Sequence, residues 1–389
     1  MIDETDAGVR RAAPELIALS HSIHAEPELA FDEHRSAAKV RNVLSERGFD
    51  VDCGVADMPT AFTATYGSGE LTIGICAEYD ALPEIGHACG HNIIAASAAG
   101  AAIALAPLAD RLGITVKVLG TPAEESGGGK VLMLERGVFD DVAAALMVHP
   151  GPFDIVGATS LALSDIAVSY TGRAAHASAA PEWGINAADA LTVSQVAIGL
   201  MRQHLAPGQQ VHGIVSDGGL APNIVPGHAE LLYYLRAPTS DSLAALTAKA
   251  YACFEAGAVA TGCSHEVRTV SPTYAELTPN PWLVAEFRRQ AESIGRAPLS
   301  PELEGFRPLG STDMGNVTNV LPGIHPVIGL DSAGAVTHQP EFASACITES
   351  ADAALVDGAL LLARTAVAAA SDVDIRQRLL EGVEARAGR

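Results

Sequence analysis

Leu71-Thr72-Ile73-Gly74-Ile75-Cys76-Ala77 runs into Glu78-Tyr79-Asp80 and, a few residues later, into Gly86-His87-Ala88-Cys89-Gly90-His91-Asn92. The first part is a short apolar run, β-branched in part, of the kind that forms a buried strand. The second places a thiol and an imidazole on either side of one Gly. Thiolate sulfur and imidazole nitrogen are the usual ligands of Zn²⁺, and Gly lets the loop bend so that both point inward. Alone the signal is weak, because a free Cys is commonly a small buried hydrophobe.

Two further segments repeat the pattern. Ile114 to Leu119 reads as a buried strand and ends at Gly120-Thr121-Pro122-Ala123-Glu124-Glu125; Ala143 to Val148 is another apolar run and ends at His149-Pro150-Gly151. Three runs thus deliver Cys89 with His91, Glu124 with Glu125, and His149 at their C-terminal ends. Helical patterns separate the runs, which predicts an α/β fold with a mixed, largely parallel sheet flanked by helices. In such sheets ligands bind in the crevice beyond the carboxyl ends of the strands. Adjacent carboxylates can split two roles only where the backbone leaves regular strand geometry, so an unusual backbone is expected at Glu124 and Glu125, with Pro122 helping to break the strand.

The chain has 389 residues, enough for two domains, and 48% hydrophobic with 18% charged residues is ordinary for a soluble globular enzyme. A formal net charge of −22 argues against nucleic acid or an anionic membrane as partner, since both need a basic surface. Six dispersed cysteines show no disulfide framework, and Met1 to Asp6 is acidic without the parts of a signal peptide, so a cytoplasmic location is expected. Ile93 to Ala109 is apolar but falls short of a membrane span and is read as a core helix.

Pro14 to Ala25 and Glu33 to Glu46 read as amphipathic helices. After about Gly151 the character changes. Ser164 to Tyr170 alternates like a half-exposed strand, Asn186 to His204 is helical, Val211 to Val215 and Ala229 to Arg236 are strand-like, Asp241 to Ala256 is helical, and a strand follows near His265 to Val270. Strand-helix-strand-strand-helix-strand is the order of a ferredoxin-like α+β sandwich. The economical division is a discontinuous catalytic domain, 1–162 with 275–389, and an inserted lid, 163–274. The later segment carries a helix (Pro281 to Ile294), the loop Gly310-Ser311-Thr312-Asp313, an apolar run at His325 to Leu330, His338 and a long Ala-rich helix. Gly127 to Gly129 is no phosphate loop, because no Lys-Ser/Thr pair follows in register.

Cys89, His91, Glu125 and His149, joined by His338, make five candidate ligands, too many for one four-coordinate cation with an open position. They suit two cations sharing one ligand and a water, with Glu124 as general base. Asp80 is read as the carboxylate that orients a histidine ligand, with strand capping as the plainer alternative. His21, His24, His34, His204 and His212 are read as structural or surface groups, and His87 as pointing away from the ligands.

Ala77-Glu78-Tyr79-Asp80-Ala81-Leu82-Pro83 with His87-Ala88-Cys89-Gly90-His91-Asn92 resembles the di-metal aminoacylase and amidohydrolase family of metallopeptidases. Thr121 to Glu125, Gly172-Arg173-Ala174-Ala175-His176-Ala177, Pro222-Asn223-Ile224-Val225-Pro226 and Thr337-His338-Gln339-Pro340 match further motifs of that family in order, over nearly the whole chain. The resemblance implies Cys89, His91, Glu125, His149 and His338 as ligands of two divalent ions, Zn²⁺ first with Mn²⁺ or Co²⁺ as alternatives. His338 lies so far along the chain that spacing alone would not single it out. It further implies Glu124 as base, His176 on the lid as a transition-state residue, Asn223 and Arg236 as binders of the substrate carboxylate, and a homodimer through the lid. Asn92 in place of a common Asp, and Gly310-Ser311-Thr312-Asp313 in place of Gly-Ser-Glu-Asp, resemble the branch that holds one of the two aminobenzoyl-glutamate hydrolase subunits and the β-alanyl-lysine dipeptidases.

The expected activity is hydrolysis of the amide of an N-acyl amino acid or small dipeptide-like compound. Alternatives are a dipeptidase for unusual dipeptides of β-alanyl or basic-residue type, a non-catalytic binding or regulatory subunit, and a hydrolase with Cys89 as nucleophile. The last leaves Glu124, Glu125 and His149 without a role.

Overall fold

The structure is a computed structural model that describes residues 1–305 and 309–388. The chain forms two compact units, Met1–Thr159 with Leu277–Arg389, and Ser160–Glu276. The boundaries expected at 162/163 and 274/275 fall a few residues inside the second unit.

The larger unit contains β1 (Asp50–Cys53), β2 (Phe62–Tyr66), β3 (Leu71–Ala77), β4 (Ile114–Gly120), β5 (Val142–Leu146) and β6 (His149–Gly151), and, beyond the insertion, β11 (Gly323–Ile324) and β12 (Val327–Gly329). Its main sheet has the order β1-β2-β4-β3-β5-β11. β3 pairs parallel with both β4 and β5, β11 adds parallel to β5, and β2 and β1 continue antiparallel on the other side. All seven residues of β3 are buried, which is why it reads as an unbroken apolar run. The run expected from Ala143 to Val148 is divided. β5 ends at Leu146, and β6 joins β12 in a separate two-stranded ladder that begins at His149.

Every residue of helix His91–Leu105 is buried. It packs against helices Ile2–His24 and Glu349–Ser371. At Gly100 a Cβ would stand 2.6 Å from Leu16 Cδ1 and 2.9 Å from Ala359 Cβ, so the small residue permits that approach. The helical stretch continues to Leu112, and these 22 residues are long and apolar enough for a membrane span by length and composition, contrary to the expectation. Burial of 94% of the window within the fold accounts for that apolarity. Helices Ser240–Thr261 and Glu349–Ser371 meet the same criteria.

The first helix starts at Ile2 rather than Pro14, which lies inside it. The buried stripe Val9, Ala12, Leu16, Leu19 and Ile23 runs through the proline, so packing outweighs the lost hydrogen bond. The chain beyond Asp372 is helical from Val373 to Ala387, and the Asp372 side chain caps its start.

The smaller unit is β7 (Ala162–Thr171), helix Ala187–Met201, β8 (Gln210–Asp217), β9 (His228–Ala237), helix Ser240–Thr261 and β10 (Ser264–Tyr274). Its sheet order is β10-β7-β9-β8 with every pairing antiparallel, the ferredoxin-like arrangement. Asn186 and Thr239 cap the two helices through side-chain oxygens. Ile166, Val168, Leu231, Leu246 and Phe254 give this unit its own core, and the Tyr170 hydroxyl, buried among them, donates to the Phe254 carbonyl at 3.1 Å.

Candidate metal centre

Parallel β3, β4 and β5 end on one side of the larger unit, and the loops that leave them carry the polar groups. Gly90 sits between Cys89 and His91 at φ 76°, and a Cβ there would fall 2.4 Å from Pro150 Cγ and 3.2 Å from Cys346 Sγ. Only glycine fits, and its left-handed turn starts the buried helix with His91 as its first residue. After β4 the unusual backbone lies at Ala123, φ 60°, one residue ahead of the expected pair. Its N–H donates to Glu33 Oε1 at 2.7 Å, which holds the strained residue in place.

Three sets of side chains bring potential ligand atoms within 4.8 Å of one another: Cys89 with His91 and His149, Cys89 with Glu125 and His338, and Glu78 with His91 and Glu124. Cys89 belongs to the first two sets. Its Sγ is 3.4 Å from His149 Nε2, while His149 Nδ1 donates to the Pro150 carbonyl at 2.7 Å. His338 approaches from the later segment. Its Nε2 is 3.4 Å from Glu125 Oε2, and its own residue is left-handed at φ 69° with the N–H donating to the Ala88 carbonyl at 2.9 Å.

His91 is the centre of the charge arrangement. Nδ1 donates to Asp80 Oδ1 at 3.0 Å, so Nε2 is the nitrogen that faces away from Asp80. Burial opposes a charge on the ring, but Asp80 and Glu78 prevail and raise it well above the usual imidazole range; a cation at Nε2 would take the place of that proton. Around that nitrogen stand Glu78 Oε2 at 3.5 Å, Glu125 Oε1 at 3.7 Å and Glu124 Oε2 at 3.8 Å. His91 Nε2, Glu78 Oε2 and Glu125 Oε1 are buried without a hydrogen-bond partner among the described residues. Buried polar atoms are nearly always satisfied, and several that converge unsatisfied on one point fit a cation. The mixed sulfur, imidazole and carboxylate donors suit Zn²⁺ and related divalent ions.

Burial, and then the charges of Glu78 and Glu125, raise the Glu124 carboxyl well above the usual range. Burial pushes His149 down to about 4, so its imidazole is neutral and able to ligate. For Asp80 burial favours the neutral form, yet the charge and hydrogen bond of His91 prevail and lower it. Burial likewise opposes the charge on Glu78, but the Lys130 ammonium prevails and brings it to about 2.

Lys130, Glu78, Asp313 and His325 were not among the expected site residues. Lys130 Nζ donates to Glu78 Oε1 at 2.6 Å and Asp313 Oδ1 at 2.7 Å, with all three side chains fully buried. His325 stacks edge-on to His149 with ring centroids 5.4 Å apart, and both of its ring nitrogens lack partners among the described residues. A lysine in a Gly-rich segment and a histidine before a proline carry no pattern that marks them. His87 is buried beside the His24 ring, 6.0 Å between centroids.

The remaining expected residues lie in the smaller unit. His176 is exposed and bridges to Ile224, and the Ala177 N–H donates to the Asn223 carbonyl at 3.0 Å, so His176 and Asn223 are neighbours across two loop segments. Arg236 is half-buried on β9 with its guanidinium 5.4 Å from the Tyr234 ring centre.

The chain matches the model of peptidase family M20/M25/M40 over residues 74–367. It is 38% identical over 396 residues to an Xaa-Arg dipeptidase of Mus musculus, covering 96% of this chain and 89% of that protein. It is 36% identical over 241 residues to one subunit of the p-aminobenzoyl-glutamate hydrolase of Escherichia coli K12, covering 57% of this chain and 50% of that one. The crystal structure of a dinuclear metal binding peptidase from Bacillus subtilis shares the fold, with a TM-score of 0.68 at 22% identity over 92% of this chain and 98% of that one. The chain therefore belongs to peptidase family M20/M25/M40, whose members hydrolyse amide and peptide bonds.

Proposed function

We propose that this protein is a two-metal dipeptidase that cleaves dipeptides with a basic C-terminal residue, with N-acyl amino acids as the second substrate class. The observation that carries the metal reading is the convergence of three carboxylate oxygens on the unpartnered His91 Nε2. Cys89, His91 and His149 would hold one cation, and Cys89, Glu125 and His338 the other, with Cys89 shared. Zn²⁺ suits the donors best, and Mn²⁺ or Co²⁺ fits the same set. When bound, such a pair supplies polarisation of the scissile carbonyl and a more acidic water.

Glu124 is the general base in this proposal. It is buried beside the ligands, where a carboxylate can take a proton from the attacking water and return it to the leaving nitrogen. Asp80 keeps His91 in the ligating tautomer.

The basic-residue preference is supported by the mouse Xaa-Arg dipeptidase, which matches over nearly the whole chain. The acyl-amino-acid reading is supported by the shorter match to the aminobenzoyl-glutamate hydrolase. A homodimer through the smaller unit is supported by β8, an edge strand on which Ile214 and Val215 are 64% and 45% exposed. A cytoplasmic location is supported by six unpaired cysteines.

Protein loaded with Zn²⁺, Mn²⁺ or Co²⁺ and assayed on matched Xaa-Arg, Xaa-Lys, Xaa-Glu and N-acyl amino acids tests the proposal. Higher kcat/KM on the basic dipeptides is expected. A preference for acidic or N-acylated substrates overturns the specificity, and turnover that survives verified metal removal overturns the mechanism.

A further inference from the structure

The ligand sets just assigned leave unused one buried carboxylate that stands against His91. Glu78 follows β3 directly and is fully buried. Its Oε1 is tethered by Lys130 Nζ at 2.6 Å, and Lys130 is itself fixed by Asp313 through both Nζ and its backbone N–H. The tether settles which way the carboxylate faces. Oε2 stands 3.5 Å from His91 Nε2, and neither atom has a hydrogen-bond partner among the described residues. Two ligand atoms each about 2.1 Å from a tetrahedral cation are about 3.4 Å apart, so the observed spacing fits a shared cation.

We propose that Glu78, through Oε2, is a further ligand of the cation held by His91, with Lys130 anchoring its other oxygen. The inference rests on the metal-binding reading above. It goes beyond the five ligands that the sequence pattern implies. Were Glu78 only a counter-ion of Lys130, its loss should weaken metal binding no more than loss of Asp313, which accepts from the same ammonium and from the Lys130 backbone N–H as well. As a ligand, Glu78 differs from Asp313 in one measurable property, the affinity for metal.

The experiment compares wild type, Glu78→Gln and Asp313→Asn after chelator treatment, titrated with Co²⁺ and followed by visible absorption and by competition with a metallochromic indicator. Both variants remove one carboxylate charge beside Lys130 and keep one oxygen that can accept a hydrogen bond. Asp313→Asn, which must give up one of two contacts with Lys130, is the more disruptive of the two toward the lysine. Two Co²⁺ sites are expected in wild type. In Glu78→Gln one of them should weaken by more than the roughly 100-fold upper end seen for groups that only orient a ligand, with a changed absorption band. Asp313→Asn should keep both. Normal cobalt uptake and spectrum in Glu78→Gln, or an equal loss in both variants, overturns the role of Glu78 alone. Wild-type protein that takes up no cobalt overturns the metal reading and this inference together. Where circular dichroism shows Glu78→Gln unfolded, Glu78→Asp gives the same readout, because it keeps the charge and withdraws the oxygen by one methylene.

Discussion

Asp80 ties His91 to Glu125. One carboxylate oxygen accepts the His91 Nδ1–H at 3.0 Å, and the other accepts the Glu125 backbone N–H at 3.0 Å. A buried carboxylate thereby sets the tautomer of one candidate ligand and the position of another. Asparagine has one acceptor oxygen in place of two, so Asp80→Asn must abandon one of these contacts. Metal affinity, measured by chelator competition, should fall about 10- to 100-fold. Wild-type affinity in the variant would show that the two contacts are only structural.

Metal removal should abolish turnover and lower the melting temperature, because three buried polar atoms then lose their counterpart. Calorimetry with and without Zn²⁺, after elemental analysis confirms stripping, measures both effects. An unchanged melting temperature would contradict a cation at His91.

Glu124→Gln and Glu125→Gln should fail differently, although the residues are adjacent. Loss of a general base costs a factor of about 10² to 10⁴ in rate, and the Glu124 variant should keep its metal. Glu125, whose oxygens face His91 and His338, should take metal occupancy with it. Matching metal content and matching residual activity in the two variants would contradict the division.

Glu33 gives a pH signature outside the ligand set. Burial, then the charge of Asp80, raises its carboxyl from 4.5 to about 7. In the folded protein it holds a proton that the unfolded chain has released, so stability is full below about 4.5 and falls as pH rises through 7. Glutamine does not titrate, and its carbonyl can still accept the Ala123 N–H. Metal-free Glu33→Gln should therefore exceed metal-free wild type in stability at pH 8, by up to about 3 kcal/mol at about 1.4 kcal/mol per pK unit. The advantage should vanish by pH 4. Denaturant melts at both values check it, and a difference independent of pH would exclude the titration.

The positions of Glu124 and Glu125 beyond β4, and of Cys89 in the loop that follows β3, were legible because buried parallel strands read as apolar runs, whereas His149 opens β6 rather than closing a strand. Polar residues stand out where those runs stop. The βαββαβ order of the smaller unit was legible for a similar reason, since its strands alternate. Lys130, Glu78 and Asp313 were not legible as a group. Their partnership spans 52 and 183 residues of chain, and nothing in any one segment marks it. The helix from Ile2 was hidden by Pro14, a local breaker overruled by a packed stripe that only the tertiary structure completes.

The candidate centre also has an order of assembly. His338 donates its backbone N–H to Ala88, and the helix Glu349–Ser371 covers the buried helix His91–Leu105. Both come from chain that a ribosome makes only after the whole of Ser160–Glu276. The smaller unit, with its own core, can fold while the apolar helix still waits for its cover. A nascent chain therefore passes through a stage with one finished unit and one open, sticky half. The second set of candidate donors closes only after His338 has been made.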